Sequence, residues 1–253
     1  MKPISVQLYS LREASKTDFT GVLKRVASIG YAGVEPAGFY DLKPAEFRKI
    51  VEDLGMKVSS SHGPWAKPDN LNEVIDTAKI LGIDLVSSGY GANEFKDMDA
   101  IRKTAEITNK MQETLAKAGL RLFLHNHHWE FCPVDGKLAY DHFATLSPKV
   151  LFEIDTYWAA NFGQNDPAEQ VKKFKKRVPL LHIKDGPLVQ GKAHVAAGAG
   201  KMDIPSVIAA ADPKVLEWVV VELDNCDTDM ATAVEASYKY LVGKGLAKGN
   251  KKV

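Results

Sequence analysis

The chain has 253 residues, of which 45% are hydrophobic and 26% charged, enough apolar material for a sizeable core and too much for a disordered or fibrous protein. That length leaves room for two small domains or for one α/β barrel, which reaches about 250 residues as a single unit. Thirty-three Lys+Arg against 32 Asp+Glu give a net charge of +1, so no global field exists to hold a polyanion or an anionic surface. A small neutral or singly charged ligand is expected instead. Two cysteines, Cys132 and Cys226, are too few for a disulfide framework or a structural zinc cluster and suit a reducing compartment. The N-terminal MKPISVQLYSLR lacks the apolar run of a signal peptide, and nowhere do about 18 apolar residues run together. A soluble, cytoplasmic protein with no membrane partner is expected.

In chain order, short β-rich runs recur at residues 4–8, 33–35, 57–61, 85–88, 120–124, 150–154, 180–183 and 218–222. Between them lie helix-length amphipathic stretches. Phe19, Val22, Leu23, Val26 and Ile29 recur at spacings of three and four, as do Ile101, Ala105, Ile107, Met111 and Leu115 in a later stretch. Asp18 is a candidate cap for the first helix and Asp166-Pro167 opens the sixth. Gly30, Gly55, Gly82, Gly119 and Gly243 follow helices, where a left-handed residue is useful. Strands alternating with helices imply right-handed crossovers and a parallel sheet, and eight units in this length predict a single closed (β/α)8 TIM barrel. The competing open doubly wound sheet wants a glycine-rich phosphate loop after its first strand. Here Gln7-Leu8-Tyr9-Ser10-Leu11-Arg12 follows, with no such fingerprint. No linker splits the chain, so the barrel is assigned to residues 1–243, and 244–253, with Lys244, Lys248, Lys251 and Lys252, to a solvated, frayed basic tail.

In a barrel, chemistry belongs at the C-terminal ends of the strands. Six of the eight runs end on polar groups: Glu35, His62, His125-Asn126-His127, Glu153-Ile154-Asp155, His182-Ile183-Lys184-Asp185 and Glu222-Leu223-Asp224. Any one of these alone reads as a loop cap. A ring of six is different, because clustered buried charge must be paired or hold a cation. Asp155, His182 and Glu222 offer two carboxylates and an imidazole, a set suited to Mn²⁺, Mg²⁺, Co²⁺ or Zn²⁺. A fourth ligand should come from the fifth run, where His125, His127 and Glu130 all compete. A divalent ion there would polarise a sugar carbonyl or hydroxyl, Glu222 would serve as base with a fifth-run group, and Lys184 would neutralise oxyanion charge or bind a phosphate or carboxylate.

Two further features carry a bland and a sharp reading. The run Lys172-Lys173-Phe174-Lys175-Lys176-Arg177 ends the sixth helix, on the barrel's opposite face, and reads as solvated charge complementing the helix dipole rather than a nucleic-acid patch. Gly198-Ala199-Gly200 is a two-glycine turn whose backbone N–H groups could approach a substrate phosphate, although it lacks the lysine and spacing of a P-loop.

The motifs SVQLYSLR, GYAGVEPAGFY, SSHG, LHNHHWEF, FEIDTYWAANFGQNDPAE, LLHIKDG, GAGKMDIP and VVVELDN stand in this order over nearly the whole chain. Together they resemble the sugar phosphate isomerase/epimerase family, the xylose isomerase-like barrels that include inosose dehydratases, ketose 3-epimerases and the endonuclease IV group. The resemblance implies metal binding by Asp155, His182 and Glu222, with Gln7, Glu35, His62 and Lys184 at the substrate. Ketose epimerases usually place a glutamate at the end of strand five, whereas this chain has His125 there. Glu130 is the replacement ligand of choice, with His125 the alternative, and His127 and Trp158 read as pocket walls, Trp158 equally as core. Glu222, Glu130, His62 and Lys184 are the expected catalytic groups. The implied activity is metal-dependent isomerisation or epimerisation of a monosaccharide or its phosphate. The rivals are a lyase or dehydratase on an inosose-like or 3-keto-sugar substrate and a barrel that binds a sugar or partner without turnover. The balanced charge speaks against the endonuclease branch and any nucleic-acid partner; homo-oligomer assembly is left open.

Overall fold

The computed structural model describes all residues, Met1–Val253. Its principal strands are β1 (Lys2–Gln7), β2 (Gly33–Glu35), β3 (Lys57–Val58), β4 (Leu85–Ser88), β5 (Arg121–His125), β8 (Leu151–Asp155), β9 (Leu180–Ile183) and β10 (Trp218–Val221). The intervening helices are α1 (Arg12–Ile29), α2 (Pro44–Asp53), α3 (Leu71–Leu81), α4 (Met98–Lys117), α5 (Ala139–Leu146), a single turn α6 (Thr156–Ala159), α7 (Pro167–Phe174), α8 (Ile204–Ala210) and α9 (Met230–Gly243). A small antiparallel hairpin, β6 (Pro133–Val134) with β7 (Lys137–Leu138), interrupts the β5–α5 loop, and β11 (Ala247–Lys248) follows α9. No helix is long and apolar enough to cross a membrane.

The principal strands pair in parallel in the order β3-β2-β1-β10-β9-β8-β5-β4. The remaining seam is bridged just beyond β3, where the Ala66 N–H donates to the Ser87 carbonyl at 2.8 Å and the Ser88 hydroxyl to the Ala66 carbonyl at 3.0 Å. The expected TIM barrel is thus the observed fold, and its sixth to eighth β-runs are β8, β9 and β10.

Alternation along each strand sorts the interior into layers. Phe123, Leu180 and Val220 join Leu85 in a small apolar cluster of their own. Two residues further on, the same faces present His125, His182 and Glu222. The intervening residues Leu124, Leu181, Ile183, Val219 and Val221 belong instead to the large core shared with the helices. Strand register then brings polar ends to one level: Gln7 pairs with Glu35, His125 with Glu153, and Asp155 with His182. At the barrel's other end, Arg121 forms a fork, with Nη2 donating to Asp84 at 2.8 Å and Nη1 to Glu217 at 2.6 Å.

Three expectations are corrected at element ends. A helical segment from Arg12 precedes the expected first helix, and the two meet at a kink at Asp18. Asp18 still caps, because its backbone leaves helical geometry (φ −150°, ψ 81°) and its carboxylate accepts the Gly21 N–H at 2.7 Å. The C-terminal segment is docked rather than frayed: β11 pairs with β1, Ala247 is buried, and Asn250 donates to the Gly30, Tyr31 and Gly55 carbonyls. The basic run that ends α7 and continues to Arg177 is only partly solvated. Arg177 is half-buried, lies over the Phe152 ring at 4.7 Å and donates to the Ala144, Ser147 and Val150 carbonyls at the end of α5.

Candidate active site

At the C-terminal ends of the strands lies a cavity of about 310 Å³ lined by Tyr9, Ala37, His62, Trp65, His125, His127, Glu222 and Asp224. Local sequence shapes each wall. Asn126, between the two inward-facing histidines, accepts the Asp155 N–H at 3.0 Å and donates to the Asp155 carbonyl at 3.2 Å, so a side-chain amide extends the β5–β8 pairing and fixes both strand ends. The Ser10 hydroxyl accepts the Leu223 N–H, and Arg12 donates to the Asp224 carbonyl, pinning the end of β10. Gly89 leaves space for Trp65: a Cβ there would stand 2.0 Å from the indole.

His125, Asp155, His182 and Glu222 are all buried, and their ligand-capable atoms lie within 4.8 Å of one another. The strand-five member of this set is His125, the alternative expected from sequence. Glu130 belongs elsewhere. It lies on the turn Trp129–Phe131, where its carboxyl folds back to accept the His127 N–H at 2.9 Å and is raised to about 8 by burial, so it is a neutral acid at pH 7. Turned toward its own loop, Glu130 is not part of the clustered metal-capable group.

Beneath the cavity a second polar layer holds the first. Gln7 Nε2 donates to Glu35 Oε1 at 2.7 Å, and the Ser60 hydroxyl donates to Glu35 Oε2. His182 Nε2 lies 2.8 Å from Glu35 Oε1 and 3.0 Å from Glu153 Oε1, while its Nδ1 lies 2.7 Å from Glu222 Oε2. His62 Nε2 lies 2.6 Å from Glu153 Oε2. Gln7 and Glu35 therefore support the ligand layer instead of lining the cavity, whereas His62 does both.

Charge follows from this crowding. Burial opposes an imidazolium at His182, but Glu153, Glu222 and Glu35 outweigh it and raise the ring well above its ordinary value. Burial likewise opposes charge on His62, and Glu35 and Glu153 raise it. Burial would raise the Glu153 and Glu222 carboxyls, yet His182 and His62 beside the first, and Lys184 and His182 beside the second, hold them well below the usual range. Burial pushes Asp155 up to about 6 against the pull of Lys184. His125 and His127 go the other way, lowered by burial to about 3 and about 4, and so present neutral nitrogens. Neutral imidazole is the ligating form, so His125 is ready to ligate, whereas His182 would give up the proton it shares with Glu222, Glu35 and Glu153 when an ion binds. His125 Nδ1 and Glu153 Oε1 are buried without a well-formed hydrogen bond, and the carboxylates outnumber their cationic partners. The donor set therefore fits a divalent cation.

Lys184 is 1% exposed, far from the ordinary surface lysine its composition class suggests. Its Nζ lies 2.7 Å from Asp155 Oδ2, 2.8 Å from Glu222 Oε2 and 2.8 Å from Asp224 Oδ2, with the Trp158 ring centroid 5.4 Å away. Trp158 packs against His194 and His128 behind the lysine, while His127 stacks on Trp129 at 4.3 Å and forms a cavity wall.

The Gly198-Ala199-Gly200 turn is already occupied by a carboxylate of the chain itself. Asp185 accepts from the N–H groups of Gly186, Gly198, Gly200 and Met202 at 2.8–3.0 Å. A Cβ on Gly200 would stand 2.1 Å from Asp185 Oδ1, which is why glycine is required there. The nest fixes a loop and leaves no amide for a substrate phosphate. Glu153, Asp185 and Asp224, named from sequence only within the polar strand ends and given no role there, emerge here as organising groups; two of them share a strand face with a named ligand, since Glu153 precedes Asp155 by two residues and Asp224 follows Glu222 by two.

Comparison with known proteins places the fold. A sugar phosphate isomerase/epimerase from Parabacteroides distasonis is 27% identical, with 95% of this chain and 93% of that one covered at a TM-score of 0.76. An L-ribulose 3-epimerase (17% identity, 97% and 95% covered, TM-score 0.73) and a probable 3-DHS dehydratase from Bacillus anthracis (12%, 95% and 98%, 0.72) share the architecture. No curated protein matches the chain. The family model described as xylose isomerase-like TIM barrel matches residues 23–241, and the chain belongs to that family.

Proposed function

We propose that the protein is a divalent-metal-dependent isomerase or epimerase of a monosaccharide, acting by proton abstraction next to a carbonyl. The observation that carries this reading is the convergence of His125, Asp155, His182 and Glu222 at the base of a sugar-sized cavity. These four would hold the ion, which when bound supplies Lewis-acid polarisation of a substrate oxygen. Glu222, ionised and lining the cavity, takes the proton. His62, which burial lowers but Glu35 and Glu153 raise above its ordinary value, faces the same cavity and would serve as proton donor. Lys184, held by Asp155, Glu222 and Asp224 behind the cavity wall, offsets the charge of these carboxylates and positions Glu222. The L-ribulose 3-epimerase and isomerase/epimerase likenesses are consistent with this chemistry.

An unphosphorylated sugar suits the cavity better than a sugar phosphate. Its charged walls include the acidic Glu222 and Asp224, Lys184 is spoken for by three carboxylates, and the glycine nest is filled by Asp185.

A second reading keeps the fold and the ion but ends in elimination. It is favoured by His125 in place of a strand-five glutamate, which leaves the cavity without a second glutamate to act opposite Glu222, and by the His62 ring, raised by Glu35 and Glu153, which would protonate a departing hydroxyl. Proton NMR in D₂O with a panel of keto sugars separates the two. Deuterium entering the product with every oxygen retained supports the isomerase; an enone or diketone supports the lyase.

A further inference from the structure

We propose that the Lys184 ammonium is a tethered competitor for the cation seat between Asp155 and Glu222, and that Asp224 is the seat to which it retreats when a divalent ion binds. This rests on the metal-dependent reading above and adds an internal control on ion affinity. The three carboxylates around Nζ are equally close but not equally bonded. The contact to Asp224 Oδ2 is a well-directed hydrogen bond. Asp155 Oδ2 lies at 2.7 Å yet has no hydrogen bond of good geometry, and Glu222 Oε2 is already engaged by His182 Nδ1. The directional partner is therefore Asp224, and the other two hold the ammonium by charge alone.

Asp155 and Glu222 belong to the group able to ligate a metal, each through one carboxylate oxygen, and Oδ2 and Oε2 are the oxygens the ammonium touches. A transition-metal ion sits about 2.0–2.2 Å from carboxylate oxygen. An ammonium already touching both oxygens cannot share them, and like charges a few ångströms apart in a buried site repel strongly. Removing the lysine altogether is not needed, because its four-carbon stem is flexible. Asp224 is the most exposed of the three, with 31% of its side chain accessible, and it lines the cavity. The Trp158 face flanks the ammonium and suits a cation at either position. Ion binding would thus push the ammonium toward the cavity wall, tying the occupancy of the metal seat to the charge presented to substrate.

The test is a Co²⁺ titration of the full chain, followed by the visible ligand-field bands and by competition with a chromophoric chelator. Wild type, Lys184→Met, Asp224→Asn and the double variant are compared, with Asp155→Asn identifying the seat. Lys184→Met should tighten binding by about tenfold or more, as loss of a direct competitor for both oxygens requires. Asp224→Asn should weaken it several-fold in the wild-type background and by less than about twofold in the Lys184→Met background, since the aspartate acts through the lysine. A simple field effect of Asp224 predicts equal weakening in both backgrounds, and that result overturns the proposal, as does unchanged or weaker binding by Lys184→Met. Lys184→Gln, with folding checked by circular dichroism, gives the same comparison if the methionine variant is unstable. Co²⁺ binding that depends on Asp155 but ignores Lys184 refutes this inference alone. Absence of any Asp155-dependent binding in wild type and in both lysine variants refutes the metal-dependent reading as well.

Discussion

Nδ1 of His182 lies 2.7 Å from Glu222 Oε2 while Nε2 of the same ring lies 2.8 Å from Glu35 Oε1. The imidazole is thereby clamped between a carboxylate at the cavity and one in the layer beneath. Outer carboxylates of this kind fix the orientation of a ligating histidine and raise its basicity. Glu35→Gln should therefore lower metal affinity and activity by roughly 10- to 100-fold, the usual scale for such partners, while the fold persists. Chelator competition and steady-state rates check this. Wild-type affinity in the variant would show that Glu35 plays no part in holding His182.

Glu130 makes a separate, pH-dependent contribution to stability. Its folded-state value, about 8, lies above the ordinary 4.5 because burial penalises the charged form. Between those values the unfolded chain has released the proton that the folded chain retains, so stability declines as pH rises from about 4.5 to about 8 and levels off beyond. At pH 7 the penalty is on the order of 3 kcal/mol. Glu130→Gln cannot ionise and keeps an oxygen for the His127 N–H, so its stability relative to wild type should rise steadily over that window. Denaturant unfolding at pH 5, 6, 7 and 8 measures the slope; a pH-independent difference would contradict the assignment.

Whether Trp65 is a substrate wall is tested at Gly89. A Cβ there would meet the indole at 2.0 Å, so Gly89→Ala should drive Trp65 into the cavity. KM for the preferred sugar should rise at least several-fold while metal content stays unchanged, because no ligand strand is touched. Unaltered KM would remove Trp65 from the binding surface.

Asp185 should prove structural. Asp185→Ala leaves the N–H groups of Gly198, Gly200 and Met202 without their acceptor, at about 1–3 kcal/mol for each that stays buried. Asp185→Asn retains one acceptor oxygen and should cost about half as much. Limited proteolysis across residues 187–201 and thermal melting follow the effect. Equal protection in wild type and Asp185→Ala would overturn the role of the nest.

The barrel was legible because its signals are local. Strand ends such as Glu153-Ile154-Asp155 and His182-Ile183-Lys184 alternate with the period of the sheet, and Phe19 to Ile29 recur with the period of a helix. The choice between His125 and Glu130 was not legible in the same way. It depends on the strand ending at His125 and on the turn at Trp129–Phe131, which swings the glutamate back onto the His127 N–H. Long-range partners were hidden as well. The lysine-rich C-terminus has the composition of a solvated tail, yet the residues between the lysines, Ala247 and Asn250, find partners on β1 and in the loops after α1 and α2, hundreds of positions earlier. Likewise the glycine turn looks free for a phosphate until Asp185, distant by more than a turn of chain, is seen to fill it.

The central claim, a divalent-ion seat built on His125, Asp155, His182 and Glu222, is tested most directly by metal analysis of the purified protein after reconstitution with Mn²⁺ or Co²⁺. Wild type and Glu130→Gln should each retain about one ion per chain and turn over a keto sugar, whereas His125→Ala, Asp155→Asn and Glu222→Gln should lose ion and turnover together. A Glu222→Gln variant that stays metal-replete and fully active, or wild type that binds no ion at this seat, would contradict the account.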